Sequence, residues 1–244
     1  MTSISIDTQE RFAATRWSIA THVGTAEADG ARNALGELSN RFRYPVYVYL
    51  RRCGHTSAAA AALTQGFLSQ LTGETAPVPD GGSTAQGPYR VYLLARLRSF
   101  LAAKDRPAAM SPANDRETPD GLEDRYRREP VDAPSPEQSF QRAFALQILD
   151  RTLRRLRSEA RQTGHLDMYE RLEPLLAREP VSGEYEAIAA KLGSRPLVLT
   201  LALKRLRQRF RELVADELAD TVASEADLAS EQDVLLIELG GAQG

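Results

Sequence analysis

Tyr185-Glu-Ala-Ile-Ala-Ala-Lys-Leu-Gly193, then Ser194-Arg-Pro196, then Leu197-Val-Leu-Thr-Leu-Ala-Leu-Lys-Arg-Leu-Arg-Gln-Arg-Phe-Arg211 is the stretch that decides how this chain reads. The first piece has the length of a short helix that stops at a glycine. The second opens on Ser-Arg-Pro, with proline suited to a first helical turn, and runs through Leu206 to at least Leu213. A short helix, a glycine turn and a longer helix make a helix-turn-helix, whose second helix lies in the DNA major groove. The small Ala189 permits close helix approach, and Ile188, Leu192, Leu199, Ala202, Leu203 and Leu206 are the expected core. Beyond that core, Lys204, Arg205, Arg207, Arg209 and Arg211 offer phosphate contacts, which orient a protein on DNA and make its affinity salt-dependent. Arg195 and Thr200, near the helix start, are placed to reach base edges, arginine being the best match for guanine. The same pattern also fits an ordinary helical hairpin with a solvated basic face. Leu197 to Leu203 is also unusually apolar for a helix that reads bases.

The rest of the chain is helical in the same way. Alanine, leucine, arginine and glutamate dominate, all strong helix formers, and β-branched alternation is nearly absent. The expected fold class is therefore all-α. Ala31 to Arg41 reads as a helix with Leu35, Leu38 and Phe42 on one face. Pro45 sits in the first turn of a second, Val46 to Arg52, which Gly54 stops. Thr56 or Ser57 caps a third, Ala58 to Leu71, ended by Gly73. The Gly-, Pro- and Ser/Thr-rich run from Thr72 to Gln86 reads as a loop, and Pro88 to Lys104 as a basic amphipathic helix. Trp17 is read as an anchor of the N-terminal segment on the core.

Residues 105–135 are proline-rich, acidic and poor in large apolar side chains, so they read as a flexible linker between two small helical domains. The expected boundaries are 1–104 for the first domain, 136–222 for the second and 223–244 for an acidic tail. Ser135-Pro-Glu-Gln138 carries the signals of a helix start, and His165 to Ala177 reads as a further helix. Charge follows this division. The chain is near neutral in sum, but residues 1–104 carry a net +4, 105–135 a net −3, 136–213 a net +5 and 214–244 a net −8. Two basic modules point to a polyanionic partner. The tail reads as a solvated helix or as a segment folded back on the second module.

Several motifs together resemble the extracytoplasmic-function (ECF) sigma factors of bacterial RNA polymerase. Tyr185-x-x-Ile188-Ala189-x-x-Leu192-Gly193 with Arg205-Leu-Arg-x-Arg-Phe-Arg-Glu-Leu213 resembles their region 4. Phe12-Ala-Ala-Thr-Arg-Trp-Ser18 resembles the opening of one subgroup, and Tyr44-Pro-Val-Tyr47 with Leu50-Arg-Arg52 and Gly54-His55 the start of region 2. Leu63-Thr64-Gln65-x-Phe67 resembles the polymerase-binding helix, and Tyr89-Arg90 with Ser99-Phe100-Leu101 the promoter-facing helix. The resemblance covers about two thirds of the chain, in the family's order. It implies two partners for each domain. Region 2 binds the β′ coiled coil of core polymerase through Tyr47, Leu50, Arg51, Leu63, Thr64, Gln65 and Phe67. It faces the −10 element through Tyr89, Arg90, Arg96 and Arg98. Region 4 binds the −35 element and the β flap. No metal, nucleotide or covalent step is implied, so the expected activity is binding and not catalysis.

One departure stands out. Members of the family usually carry acids just before Leu63, where this chain has Thr56-Ser-Ala-Ala-Ala-Ala-Ala62, and Gly66 replaces another common acid. Losing several charge-assisted contacts costs about a few kcal/mol of complementarity. Either the chain is a weak or degenerate sigma factor, or a Ser/Thr kinase restores the charge by phosphorylating Thr56, Ser57 or Thr64, as the resemblance to subgroups lacking these acids implies. A helix-turn-helix regulator acting without polymerase, or a sigma-like interaction module, is the alternative. His22, His55, His165 and Cys53 lack metal-ligand spacing, and no phosphate loop or nucleophile elbow is present. A lone cysteine, a polar N-terminus and the absence of a long apolar run lead us to expect a cytoplasmic location without membrane contact.

Overall fold

A computed structural model describes residues 15–21, 28–73, 87–104, 121–128 and 135–240. Among these the chain is entirely helical. The helices are α1 (Arg16–Thr21), α2 (Ala28–Arg41), α3 (Arg43–Arg52), α4 (Ser57–Thr72), α5 (Tyr89–Lys104), α6 (Leu122–Arg128), α7 (Pro136–Gln162), α8 (Leu166–Leu172), α9 (Glu184–Leu192), α10 (Pro196–Ala219) and α11 (Glu225–Gly240), with a 3-10 turn over Glu173–Leu175. The expected stops hold. Thr56 caps α4, its hydroxyl accepting the Ala59 N–H at 3.3 Å, and Gly73 closes it. Ser135 caps α7 by accepting from the Gln138 N–H at 3.2 Å.

The chain forms two compact units, and their limits differ from the expected domains. The first contains residues 1–147 together with 218–244, and the second residues 148–217. In the first unit α1 packs on α2, α2 on α3 and α4, and α3 on α4. Its core is aromatic. Phe42 stacks on Phe144 at 4.0 Å between ring centres, and Trp17, fully buried, meets Tyr89 edge-on at 5.3 Å. The Trp17 indole N–H donates to the Gly87 carbonyl at 2.8 Å, so the anchor is both apolar and hydrogen-bonded.

Two segments expected to stay outside this core belong to it. Part of the expected flexible linker is α6, packed on α3. The buried Tyr47 hydroxyl donates to Glu123 at 2.6 Å, Arg51 pairs with the same carboxylate at 3.1 Å, and the Arg125 guanidinium lies 3.9 Å from the Tyr44 ring centre. Burial pushes Glu123 up, but Tyr47, Arg51 and Arg127 together hold its pKa below the ordinary range. A buried tyrosine needs an acceptor, and composition alone does not reveal that a linker acid supplies it. Residues 105–120 and 129–134 lie outside the described residues.

The acidic C-terminal segment is the second case. It is neither a solvated extension nor part of the second unit. The Trp17 N–H donates to the Asp220 carbonyl, the Tyr89 N–H to the Thr221 carbonyl and the Thr15 hydroxyl to the Val222 carbonyl. Asp220 pairs with Arg16 at 2.6 Å and Arg41 at 2.8 Å. Glu231, 3% exposed, accepts from Arg90 at 2.8 to 3.2 Å through both of its oxygens.

Removing one partner of a buried ion pair leaves the other charged and unsolvated, at about 3–5 kcal/mol. Glu231→Ala should therefore destabilise the first unit by about that amount, and Glu231→Gln by less. Urea unfolding followed by fluorescence of Trp17, the one tryptophan, measures it. A loss under about 0.5 kcal/mol, the scale of an ordinary surface substitution, would show that the pair is not structural.

Candidate nucleic-acid interface on the second unit

The second unit is built around the stretch from Tyr185 to Leu213. α9 begins at Glu184, after Gly183 with φ +81°, and ends at Gly193 with φ +59°. Both are left-handed conformations that other residues adopt only with strain. At Gly193 an added Cβ would meet nothing within 4 Å, so the backbone angle and not space requires the glycine. The Gly193 and Ser194 N–H groups return to the Ala189 carbonyl, closing the helix. The Arg195 carbonyl takes the first N–H groups of α10, from Val198 and Leu199, with Pro196 in the first turn.

Two small apolar clusters hold the turn in place. Leu172, Leu175 and Leu203 are buried together with Met168, Tyr185, Ile188, Ala202 and Leu206 packed on them. Leu156, Tyr169 and Leu213 form the second cluster, joined by Phe210. Ala189 and Leu199 are buried as expected. Ion pairs add to this. Glu217, 4% exposed, accepts from Arg151 at 2.7 Å and Arg155 at 2.9 Å.

The positive charge on α10 divides into two groups. Arg195, Thr200, Lys204, Arg205 and Arg211 are exposed. Thr200, Lys204 and Arg211 follow at spacings of four and seven residues and share a face. Arg207 and Arg209 are not free surface cations, contrary to expectation. Arg207 donates to Glu179 at 2.7 Å and to the carbonyls of Leu175 and Arg178 at 2.9 and 2.6 Å, tying down the turn before α9. Arg209 is bidentate to Glu159 at 2.7 and 2.8 Å and also reaches Glu212. It holds Glu159 below the ordinary carboxylate range. Fork-shaped guanidinium groups satisfy several carbonyl and carboxylate acceptors at once, and here that geometry serves the fold.

The residues expected to face partners from the first unit are mostly core. Tyr47, Leu50, Thr64, Phe67 and Tyr89 are at most 2% exposed, and Arg90 is 9% exposed and bound to Glu231. The Tyr89 hydroxyl meets Ser39 at 3.1 Å, Phe67 packs on Phe100, and the Thr64 hydroxyl donates to the Ala60 carbonyl at 2.7 Å. Thr64 and Phe67 alternate with surface positions along α4, whereas Tyr47 and Leu50 lie in the unbroken buried run Tyr44–Leu50 of α3, and residue type alone reveals neither placement. Thr64 is therefore no phosphorylation site in the folded chain. Leu63 and Ser57 are half-buried and Gln65 and Thr56 exposed. Arg51 is occupied by Glu123, Arg96 is half-buried, and Arg98 is exposed with Glu137 at 3.0 Å. The N-terminal motif residues 12–14 and His22 lie outside the described residues. Among the described residues no helix is long and apolar enough to cross a membrane.

Glu184, which sequence reasoning passed over, fixes the start of α9. Its carboxylate accepts from Arg178 at 2.6 and 2.8 Å and from the Val181 N–H at 3.0 Å. The Arg178 hydrogen bonds, then that N–H, lower its pKa to about 2. A carboxylate depressed in the folded chain stabilises it above the unfolded pKa, and this contribution is lost as pH falls through the folded value. The anchoring of α9 should therefore persist at neutral pH and fade between about pH 4.5 and 2. An NMR titration of Glu184 should give a midpoint near 2, rising toward the ordinary range in Arg178→Gln. An unchanged midpoint in that variant would remove the pair as the cause. Comparison of the chain with protein families, with curated proteins and with solved structures returns no match.

Proposed function

We propose that the chain is an RNA polymerase sigma factor of the ECF type, which binds core polymerase and directs it to a promoter through −10 and −35 contacts without a catalytic step of its own. The observation that carries this reading is the α9–Gly193–α10 unit, with Thr200, Lys204, Arg205 and Arg211 exposed on its second helix and Arg195 exposed just before it. An exposed basic row on the second helix of a helix-turn-helix suits phosphate contacts, with Arg195 at the helix start suited to a base edge. The sequence order of region 2-like and region 4-like motifs supports polymerase as the second partner. The proposed contacts are with the β′ coiled coil and the β flap, in the cytoplasm. At the −10 element the proposed contacts on α5 are Arg96, which is half-buried, and Arg98, which is exposed.

Phosphorylation by a Ser/Thr kinase is part of the proposal, at Thr56 in preference to Ser57. Thr56 is exposed and caps α4, whose first turn carries no acid. A phosphate there adds close to two negative charges where a helix N-terminus favours them. It would supply the charge that an acidic patch supplies in the family this chain resembles.

Lys204→Ala and Arg205→Ala should each weaken duplex DNA binding about uniformly across sequences and lower the salt slope by about 1. Stability should change by under about 0.5 kcal/mol, since both side chains are exposed. Salt-dependent binding curves test this, and an unchanged slope argues against α10 as the DNA surface. Thr56→Glu should raise the affinity for core polymerase, measured by co-purification and by promoter-dependent transcription in a reconstituted system. DNA binding without any polymerase binding favours a one-component helix-turn-helix regulator. Polymerase binding without transcription favours a sequestering module.

A further inference from the structure

The second unit has an apolar groove that DNA contact does not explain, and on the reading proposed above the β flap is the occupant that a second copy must be distinguished from. It encloses about 480 Å³ beside α7, α8 and α10, with Leu156, Met168, Leu172, Val198, Leu201 and Arg205 among its lining. Val198 is 44% and Leu201 51% exposed, and neighbouring Leu197 is 71% exposed. Apolar side chains of this size gain nothing from phosphate, and a contiguous exposed cluster marks a protein contact.

The first unit has the matching surface. In α11, Leu228, Glu231 and Leu235 are buried, whereas Leu236 and Ile237 are 69% and 71% exposed. Asp233, also exposed, lies three and four residues before them and so on the same face. α11 carries five acids, one of them the buried Glu231, and no base, while exposed Lys204 and Arg205 stand beside the groove residues on α10. An acidic helix with two bare apolar side chains and a basic-edged apolar groove are complementary in both charge and polarity.

We propose that the groove of one chain receives the Leu236–Ile237 end of α11 from a second copy, with Asp233 of the incoming helix meeting Arg205. The two surfaces differ, so the contact is heterologous, and each copy offers one of each. Burial of the apolar pair sets the strength, and the charge pair sets register and rate.

Sedimentation equilibrium of the full chain from about 1 to about 200 µM, a range that brackets micromolar affinity, reads the association. The mass should rise with concentration. Leu201→Asp and Ile237→Asp should each raise the dissociation constant at least about ten-fold, with thermal unfolding unchanged because both positions are exposed. An equimolar mixture of the two variants should recover a heterodimer, since one retains the groove and the other the helix. Asp233→Arg should weaken association, and combining it with Arg205→Asp should restore it. A chain that is monomeric at the highest concentration overturns the proposal. So does an Ile237→Asp chain that associates like the parent, which would leave the groove to a different partner.

Discussion

A guanidinium cannot leave water without a counter-charge, and that constraint organises the first unit. Arg90 lies on α5 with 9% of its surface exposed, and Glu231 answers its charge from 141 residues further along. Once that pair is buried, α11 must be part of the first unit. The preceding turn follows, with Asp220 on Arg16 and Arg41 and the Thr221 carbonyl on the Tyr89 N–H. The geometry alone makes such a pair worth keeping, since desolvation offsets most of its attraction. A wrong partner would leave an ion stranded in the core.

The second unit applies the same constraint to its own surface. Of the five cations from Lys204 to Arg211, two are consumed by carboxylates and carbonyls of the unit itself. Arg207 gathers three acceptors around the turn before α9, and Arg209 joins α10 to Glu159 of α7. Lys204, Arg205 and Arg211 remain exposed, with Arg195 at the head of the helix. A helix that spends part of its charge on its own fold has a smaller and better defined positive face. That face is what the proposed DNA contact uses.

The first turns of α10 are less hydrophilic than a base-reading helix needs, and the same is true of the last turns of α11. The two sets of exposed leucine, valine and isoleucine lie on elements of opposite charge. Self-association and nucleic-acid binding would then share α10, with Arg205 at the border between its basic row and its groove. Occupation of one surface would bear on access to the other.

The all-helical class, most helix starts and stops, and the glycine turn of the helix-turn-helix were legible in the residues alone. Each of these is a local property, fixed by periodicity, capping residues and one left-handed glycine. Trp17 as an anchor and Ala189, Leu199 and Leu203 as core were legible for the same reason, since large or spaced apolar residues have one low-energy place to go. Which charged residues stay on the surface is settled by folding. Arg90, Arg207 and Arg209 have the same side chain as Arg205 and Arg211, and what separates them is an acid or carbonyl brought near by folding. Tyr47 entered the core, and Glu123 left a stretch that reads as linker, because each satisfies the other's polar atom from 76 residues away, whereas Thr64 satisfies its hydroxyl locally on the Ala60 carbonyl. Ion pairing is blind to sequence distance, so a string of residues carries no mark of it.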